Sequence, residues 1–209
     1  MRSFGLEGSQ GVTKMASKAF ALATLFLAGC VSTPDVATLH QRYMAASNAH
    51  NIETIAEMTS DIIVWRLGPY RLEGKSDALL PHETDAVLNT TLEIRDIRIR
   101  ENVVEAELVE RNDALLAVGI DHWRHYVRWV FDEDGKVTRK EPWKESPDDA
   151  QVARQLRPLR EWIRENHPEA VPDFRDINDV FGRGPALRGK RMREAWIAAG
   201  SPGMISPDD

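Results

Sequence analysis

The chain has little cysteine, few long apolar runs and fewer positive than negative charges. Cys30 is the single cysteine of its 209 residues, so no disulfide can form within one chain. The apolar run at residues 19–29 has eleven residues, whereas a helix needs about 20 to span a bilayer. The 27 Lys and Arg residues against 33 Asp and Glu give a net charge of −6. This balance argues against binding nucleic acid or anionic lipid by charge.

The apolar run is preceded by Lys14 and Lys18 and closed by Leu27-Ala28-Gly29-Cys30. A positive start, a short apolar stretch and small residues before a cut site are typical of a secretory signal. The last four residues resemble the lipobox of bacterial lipoproteins. The resemblance implies that Cys30 carries a diacylglycerol on its sulfur and becomes the first residue of the mature chain. An ordinary signal peptide with a chance cysteine is the alternative.

We therefore expect a lipoprotein signal peptide at residues 1–29 and a short tether at residues 30–35. Met15 is a better start for such a signal than the first methionine. The resemblance implies a lipid anchor in the cell envelope. Because Val31 follows Cys30, it further implies the outer membrane, with the protein facing the periplasm. A lipidated Cys30 leaves no thiol for catalysis.

The rest of the chain predicts helices first and strands afterwards. Apolar residues recur at helical spacing from residue 36, and a period of two begins after Asn89. Residues 121–131 predict a long strand, Asp132-Glu133-Asp134-Gly135 a hairpin turn, and residues 137–143 the return strand. This order is typical of an α+β fold.

The last part of the chain, residues 146–209, differs in composition and predicts a helical and loop extension. A helix begins near its start, and Pro158 is expected to break or restart it. Residues 173–189 are rich in Gly, Pro and charge and predict a loop, and residues 191–199 predict a last helix. We expect the helices of the extension to dock on the domain, because isolated helices are marginally stable.

Residues 36–143 resemble the nuclear transport factor 2 superfamily, in its SnoaL-like polyketide-cyclase branch. The segments that carry the resemblance are Arg42-Tyr43, residues 51–58, Asp61-Ile62-Ile63-Val64-Trp65, Glu73-Gly74-Lys75 and residues 131–137. The resemblance implies a cone-shaped domain at residues 36–145, with N-terminal helices packed in a strongly bent antiparallel sheet around an apolar pocket. This superfamily includes isomerases, dehydratases, cyclases, hydrolases and binding modules, so the fold does not settle the function.

The predicted long strand supplies the candidate site. Alternation places one set of side chains on its more apolar face, which we expect to line the pocket: Asp121, Trp123, His125, Val127, Trp129 and Phe131. The ordinary pKa of histidine, about 6.5, suits proton transfer by His125, although a histidine buried in the core is the alternative. We predict that Trp65, Trp123 and His125 bind a ligand and that His125 is the candidate catalytic residue.

A carboxylate partner for His125 cannot be chosen by spacing. The candidates are Asp85, Glu83, Glu110 and Asp121. Asp121 lies four strand residues from His125, about 13 Å away, which is too far for a direct bond. His122 and His125 lie on opposite faces of a strand, so one ion cannot readily hold both. We expect no metal site and no cofactor.

Three functions stay open from the sequence. The first is a lipid-anchored protein whose pocket binds a small apolar ligand or a protein partner without clear catalysis. The second is an isomerase, dehydratase or cyclase that uses His125 as acid or base. The third is a structural accessory protein that forms a homodimer through the outer sheet face. An open pocket with a carboxylate near His125 favours the enzyme, whereas a pocket filled by Trp65, Trp123 and Trp129 favours the structural protein.

Overall fold

A computed structural model of the chain describes residues 35–205. The predicted signal peptide, Cys30 and nearly all of the tether therefore lie outside the described residues. None of the described helices is both long enough and apolar enough to cross a bilayer.

Helices and strands follow one another in α+β order. The first half contains α1 (Val36–Asn48), α2 (Ile52–Glu57), β1 (Thr59–Leu67), β2 (Tyr70–Glu73), α3 (Lys75–Leu88), β3 (Thr91–Arg100) and β4 (Val103–Arg111). The second half contains α4 (Asp113–Ala117), β5 (Trp123–Phe131), β6 (Val137–Lys144), α5 (Asp149–Asn166), α6 (Ile177–Val180) and α7 (Arg183–Ala198). Asp35 caps α1 by accepting a hydrogen bond from the Thr38 amide.

The six strands form one curved, unclosed sheet in the order β2-β1-β6-β5-β4-β3, which confirms the α+β prediction. The predicted purely antiparallel sheet is wrong at one place, because β1 and β6 pair in parallel. The chain leaves β1 through the β2 hairpin and α3, and it returns to the other side of β1 only after three further strands. No tight turn therefore dictates the direction in which β6 meets β1.

The main core lies between α1 and the concave face of the sheet. Leu39 and Tyr43 of α1 pack in one cluster with buried sheet residues that include Ile63, Trp129 and Phe131. The predicted inward face of β5 is buried at Val127, Trp129 and Phe131 and half-buried at Trp123 and His125. On the other face, Arg124 pairs with Asp148 and Arg128 with Glu105.

The C-terminal extension differs from its prediction in two respects. Helix α5 continues through Pro158 instead of breaking there, and α7 begins at Arg183 rather than near residue 191. Most residues of the predicted loop at 173–189 therefore belong to α6 and to the first turns of α7. A second core cluster explains the long helices, because Leu159 of α5 and the fully buried Trp196 of α7 pack together on residues near α4. This tertiary packing outweighs the hydrogen bond lost at proline.

Candidate active site

A cavity of about 770 Å³ lies between the concave face of the sheet and α3. Most of its wall is apolar and includes Leu67, Leu88, Leu92, Leu108, Val127 and Phe181. The ionisable side chains Asp85, Glu110, His125 and Lys140 also line it, and each comes from a different element. The wall includes the exposed residues Pro142 and Glu145, where the cavity reaches solvent. A few polar groups in an apolar cavity of this size are typical of a small-molecule site.

Glu110 and His125 come together through the antiparallel pairing of β4 and β5. Glu110 is opposite Trp123 and Leu108 is opposite His125, so the two ionisable side chains are diagonal neighbours on one face. The distance from Glu110 Oε2 to His125 Nε2 is 3.4 Å. The two atoms are close but not aligned for a hydrogen bond, and His125 Nε2 has no hydrogen-bond partner among the described residues. The His125 ring stacks on Trp123, with centroids 4.6 Å apart and planes at 8°.

The environment of Glu110 stabilises its protonated form. Burial, and then the nearby charge of Asp85, raise the pKa of Glu110 to about 8. A hydrogen bond from Asn112 Nδ2 to Glu110 Oε1, 2.6 Å long, opposes this shift. Burial, and then the charge of Lys140, lower the pKa of His125 to about 4. The ordinary histidine pKa, on which the predicted role of His125 rested, is therefore wrong for this site. At neutral pH the pair therefore consists of a protonated carboxyl and a neutral imidazole, which are one proton donor and one proton acceptor.

Lys140 lines the same cavity as this pair, from the neighbouring strand β6. Its register partners are Trp129 on β5 and Trp65 on β1, and its Nζ lies 3.7 Å from the centroid of the Trp65 ring. Burial lowers the pKa of Lys140 to about 8, although Asp85 and Glu110 oppose that shift. Burial also raises the pKa of Asp85, against the attraction of Lys140.

A layer of buried polar side chains supports the cavity wall from behind. Tyr43 Oη lies 2.8 Å from His82 Nε2, and the His82 ring packs on Trp65 with centroids 5.2 Å apart. His40 meets the Trp129 ring edge-on at 4.6 Å. Burial lowers the pKa of both histidines. Their neutral rings hold the two tryptophans that flank Lys140.

The structure places the three predicted ligand-binding residues, Trp65, Trp123 and His125, around one cavity. Their role in binding stays a prediction. Trp129 instead lies in the core at 0% exposure, so the three tryptophans do not fill the pocket.

Of the four candidate carboxylates, Glu110 reaches His125, and Asp85 lines the same cavity. Glu83 accepts a hydrogen bond from the Arg183 amide, and Asp121 is exposed beside His122, so neither joins the site. Among residues 35–205 no group of three His, Cys, Asp or Glu side chains is placed to hold a metal ion.

Lys140 is the residue that sequence reasoning missed. If the side chains of β6 alternated strictly, Lys140 and Val137 would lie on different faces of the sheet. A bulge at Thr138 changes this, because Phe131 pairs with Val137 whereas Val130 pairs with Arg139. Val137 and Lys140 are consequently both buried. The available signal was a lysine in the middle of the strand that follows β5, the strand with the predicted inward face.

Comparison with known proteins finds similarity in structure only. No family model and no curated protein matches the chain. An NTF2-like protein of unknown function from Cytophaga hutchinsonii has a TM-score of 0.46 and 9% identity, covering 56% of this chain and 94% of that one. A candidate polyketide cyclase from Sinorhizobium meliloti has a TM-score of 0.44 and 12% identity, covering 52% and 93%. A candidate ketosteroid isomerase from Kribbella flavida has a TM-score of 0.44 and 15% identity, covering 54% and 81%.

Proposed function

We propose that this domain is an enzyme of the isomerase, dehydratase or cyclase type, which moves a proton within a small apolar ligand. The observation that carries the proposal is the pairing of Glu110 with His125, 3.4 Å apart, in the wall of the apolar cavity. A buried carboxyl whose pKa is raised to about 8 suits general acid–base catalysis near neutral pH. A pocket built only for apolar binding has no need of two adjacent ionisable groups.

The two side chains have complementary roles. The neutral imidazole of His125 accepts a proton from the ligand, and the protonated carboxyl of Glu110 donates one to another ligand atom. The short separation of the two groups allows the proton to return from His125 to Glu110 once product has left. Trp123 orients His125 by stacking on it, and Asn112 orients Glu110 by its hydrogen bond.

The proposal can be tested without knowing the natural substrate. Nitrobenzisoxazole is an apolar probe that eliminates to a coloured phenolate when a base removes its C–H proton. We expect the purified full chain to accelerate this elimination and Glu110→Gln and His125→Gln each to lower the rate by at least about tenfold. Glu93→Gln, at an exposed carboxylate of β3, is the matched control and should keep the rate. Equal rates in all four proteins would contradict the proposal.

Ligand binding without catalysis is the second candidate, and the largely apolar wall of the cavity favours it. Fluorescence of anilinonaphthalene sulfonate reports occupancy of such a cavity. If the protein binds this probe but does not turn over nitrobenzisoxazole, the binding function is supported instead. Under that function His125→Gln keeps most of the affinity, whereas in an enzyme it binds the probe and loses turnover.

We also propose that the protein is anchored in the cell envelope through a lipid on Cys30, because Leu27-Ala28-Gly29-Cys30 has the lipobox pattern. Two or more acyl chains bind a membrane stably, whereas a single chain does so only marginally. Cys30→Ser should therefore move the protein from the membrane fraction to the soluble fraction, and the wild type should carry the mass of the lipid. A soluble wild type without added mass would refute the anchor. The homodimer through the outer sheet face stays a prediction that size-exclusion chromatography can test.

A further inference from the structure

Lys140 occupies a position that packing alone would give to an apolar residue. It lies in the centre of the sheet, is 7% exposed, and has a tryptophan as register partner on each side. Its Nζ lies 3.7 Å from the ring centroid of Trp65, 5.8 Å from that of Tyr43 and 5.9 Å from that of Trp129. Lysine side chains are almost never fully buried unless they are paired.

Lys140 also belongs to the wall of the cavity. Asp85 and Glu110 line the same cavity, and both interact with Lys140 through charge. The rings behind Nζ hold it on one side, and the cavity provides room for a ligand on the other. A lysine amine that is desolvated in an apolar pocket is activated as a nucleophile and can form an imine with a carbonyl compound.

We propose that Lys140 is a nucleophile that forms an imine with an apolar aldehyde or ketone in the cavity. This inference deepens the proposed function by naming a carbonyl compound as the ligand, and it rests on that function only in requiring an apolar ligand there.

The step is balanced by the groups already present. The lone pair of Nζ forms a bond to the carbonyl carbon, and the carbonyl oxygen takes a proton from the Glu110 carboxyl. The resulting hydroxyl leaves as water after taking up the proton that nitrogen loses, and a carbon–nitrogen double bond remains. The imine is then protonated and Glu110 is a carboxylate, and the proton that passes from the imine nitrogen to Glu110 restores the carboxyl. One carbonyl compound and one amine give one imine and one water.

The ionisation of Lys140 supports this role. Because burial lowers the pKa of Lys140 to about 8, roughly a tenth of the amines are neutral at pH 7. An exposed lysine with a pKa of about 10.4 is neutral in only about one molecule in 2,500 at that pH. The neutral amine is the form that attacks, so Lys140 should react much faster than surface lysines.

The test is reductive trapping on the purified full chain. We incubate it at neutral pH with methoxynaphthaldehyde, an apolar aromatic aldehyde, and reduce any imine to a stable secondary amine with borohydride. We expect one adduct per chain by intact mass and its location on Lys140 by peptide mapping. Lys140→Arg, which keeps the positive charge, should lose the adduct. Lys136→Arg, the same substitution at a half-buried lysine of the β5–β6 turn that does not line the cavity, should keep it.

Each outcome decides the proposal. An adduct that is spread evenly over surface lysines overturns the proposal. So does the lack of any adduct on a wild type that binds the aldehyde, which a fall in anilinonaphthalene sulfonate fluorescence on adding the aldehyde would show. If Lys140→Arg fails to fold, the peptide map of the wild type still decides. Elimination of nitrobenzisoxazole that depends on Glu110, without an adduct on Lys140, leaves the proposed function standing and refutes the imine. An adduct on Lys140 without elimination that depends on Glu110 supports the imine and refutes the proposed acid–base function.

Discussion

The free energy of unfolding should fall as the pH rises from 4.5 to about 8, because Glu110 ionises in the unfolded chain but stays protonated in the folded protein, and Glu110→Gln should remove that loss. Burial raises the pKa of this carboxyl from an ordinary 4.5 to about 8 in the folded protein. Between these two pH values the folded state holds a proton that the unfolded state releases. The stability that this proton contributes is therefore fully present below pH 4.5 and is lost as the pH rises to about 8.

The size of the effect follows from the shift in pKa. A group that binds one proton only in the folded state changes the free energy of unfolding by about 1.4 kcal/mol for each pH unit. Over the interval from 4.5 to about 8 the loss sums to about 5 kcal/mol. Small domains have a total stability of about 5 to 15 kcal/mol, so the effect is large enough to measure.

Other buried groups act in different directions, so the prediction concerns the difference between the wild type and Glu110→Gln. Burial lowers the pKa of His40 and His125 to about 4, and the stability that they contribute is lost as the pH falls from 6.5 to that value. Burial lowers the pKa of Lys140 from 10.5 to about 8, so its contribution is lost as the pH falls through that interval. All three groups remain in the variant and largely cancel in the difference.

The assay is urea unfolding followed by tryptophan fluorescence, in steps of about one unit between pH 5 and pH 8. With each step to higher pH, the free energy of unfolding of Glu110→Gln should rise by about 1.4 kcal/mol relative to that of the wild type. Glu93→Gln, at an exposed carboxylate, serves as the control for losing a negative charge. If wild type and Glu110→Gln keep a constant difference across this range, Glu110 does not hold a proton in the folded state and the proposed acid–base pair is wrong.

Three further predictions concern packing, capping and backbone conformation. Phe131→Ala should lower the free energy of unfolding by about 3 to 5 kcal/mol, because Phe131 is fully buried, whereas Arg128→Ala on the other sheet face should cost about 1 kcal/mol or less in the same urea assay. Asn112→Ala should lower the free energy of unfolding by about 1 kcal/mol, because Asn112 caps α4. It should also move the pH profile of nitrobenzisoxazole elimination to higher pH, because the hydrogen bond from Asn112 lowers the pKa of Glu110. Gly135→Ala should cost about 1 to 2 kcal/mol by urea unfolding, because Gly135 has a φ of +77° and an added Cβ would lie 3.0 Å from a leucine methyl.

The sequence predicted the inward face of β5 because alternation is a local property. Trp123, His125, Val127, Trp129 and Phe131 occupy every second position, and that face is far more apolar than the arginine-bearing face. The hairpin between β5 and β6 was equally readable, since Gly135 provides the positive φ that the turn needs. Both features depend only on neighbours within about ten residues.

The partner of His125 could not be predicted in this way. Glu110 was one of four candidate carboxylates, and only the register of β4 against β5 brings it within 3.4 Å of the imidazole. A strand could slip along its partner without changing its own periodicity, so register depends on the packing of the whole sheet. The unbroken α5 has the same kind of cause, because Trp196 from a distant helix stabilises the turn that contains Pro158.

The sequence by itself determined the α+β order, the inward face of the long strand and the presence of His125 and two tryptophans on a common pocket. The tertiary structure alone decided the chemistry of that pocket. Asp85, Glu110 and Lys140 come from three elements, and a one-residue bulge in β6 turns Lys140 inward. Their pKa values are shifted chiefly because burial removes water from all of them at once. Such desolvation is a property of the assembled cavity, and no local pattern of residues encodes it.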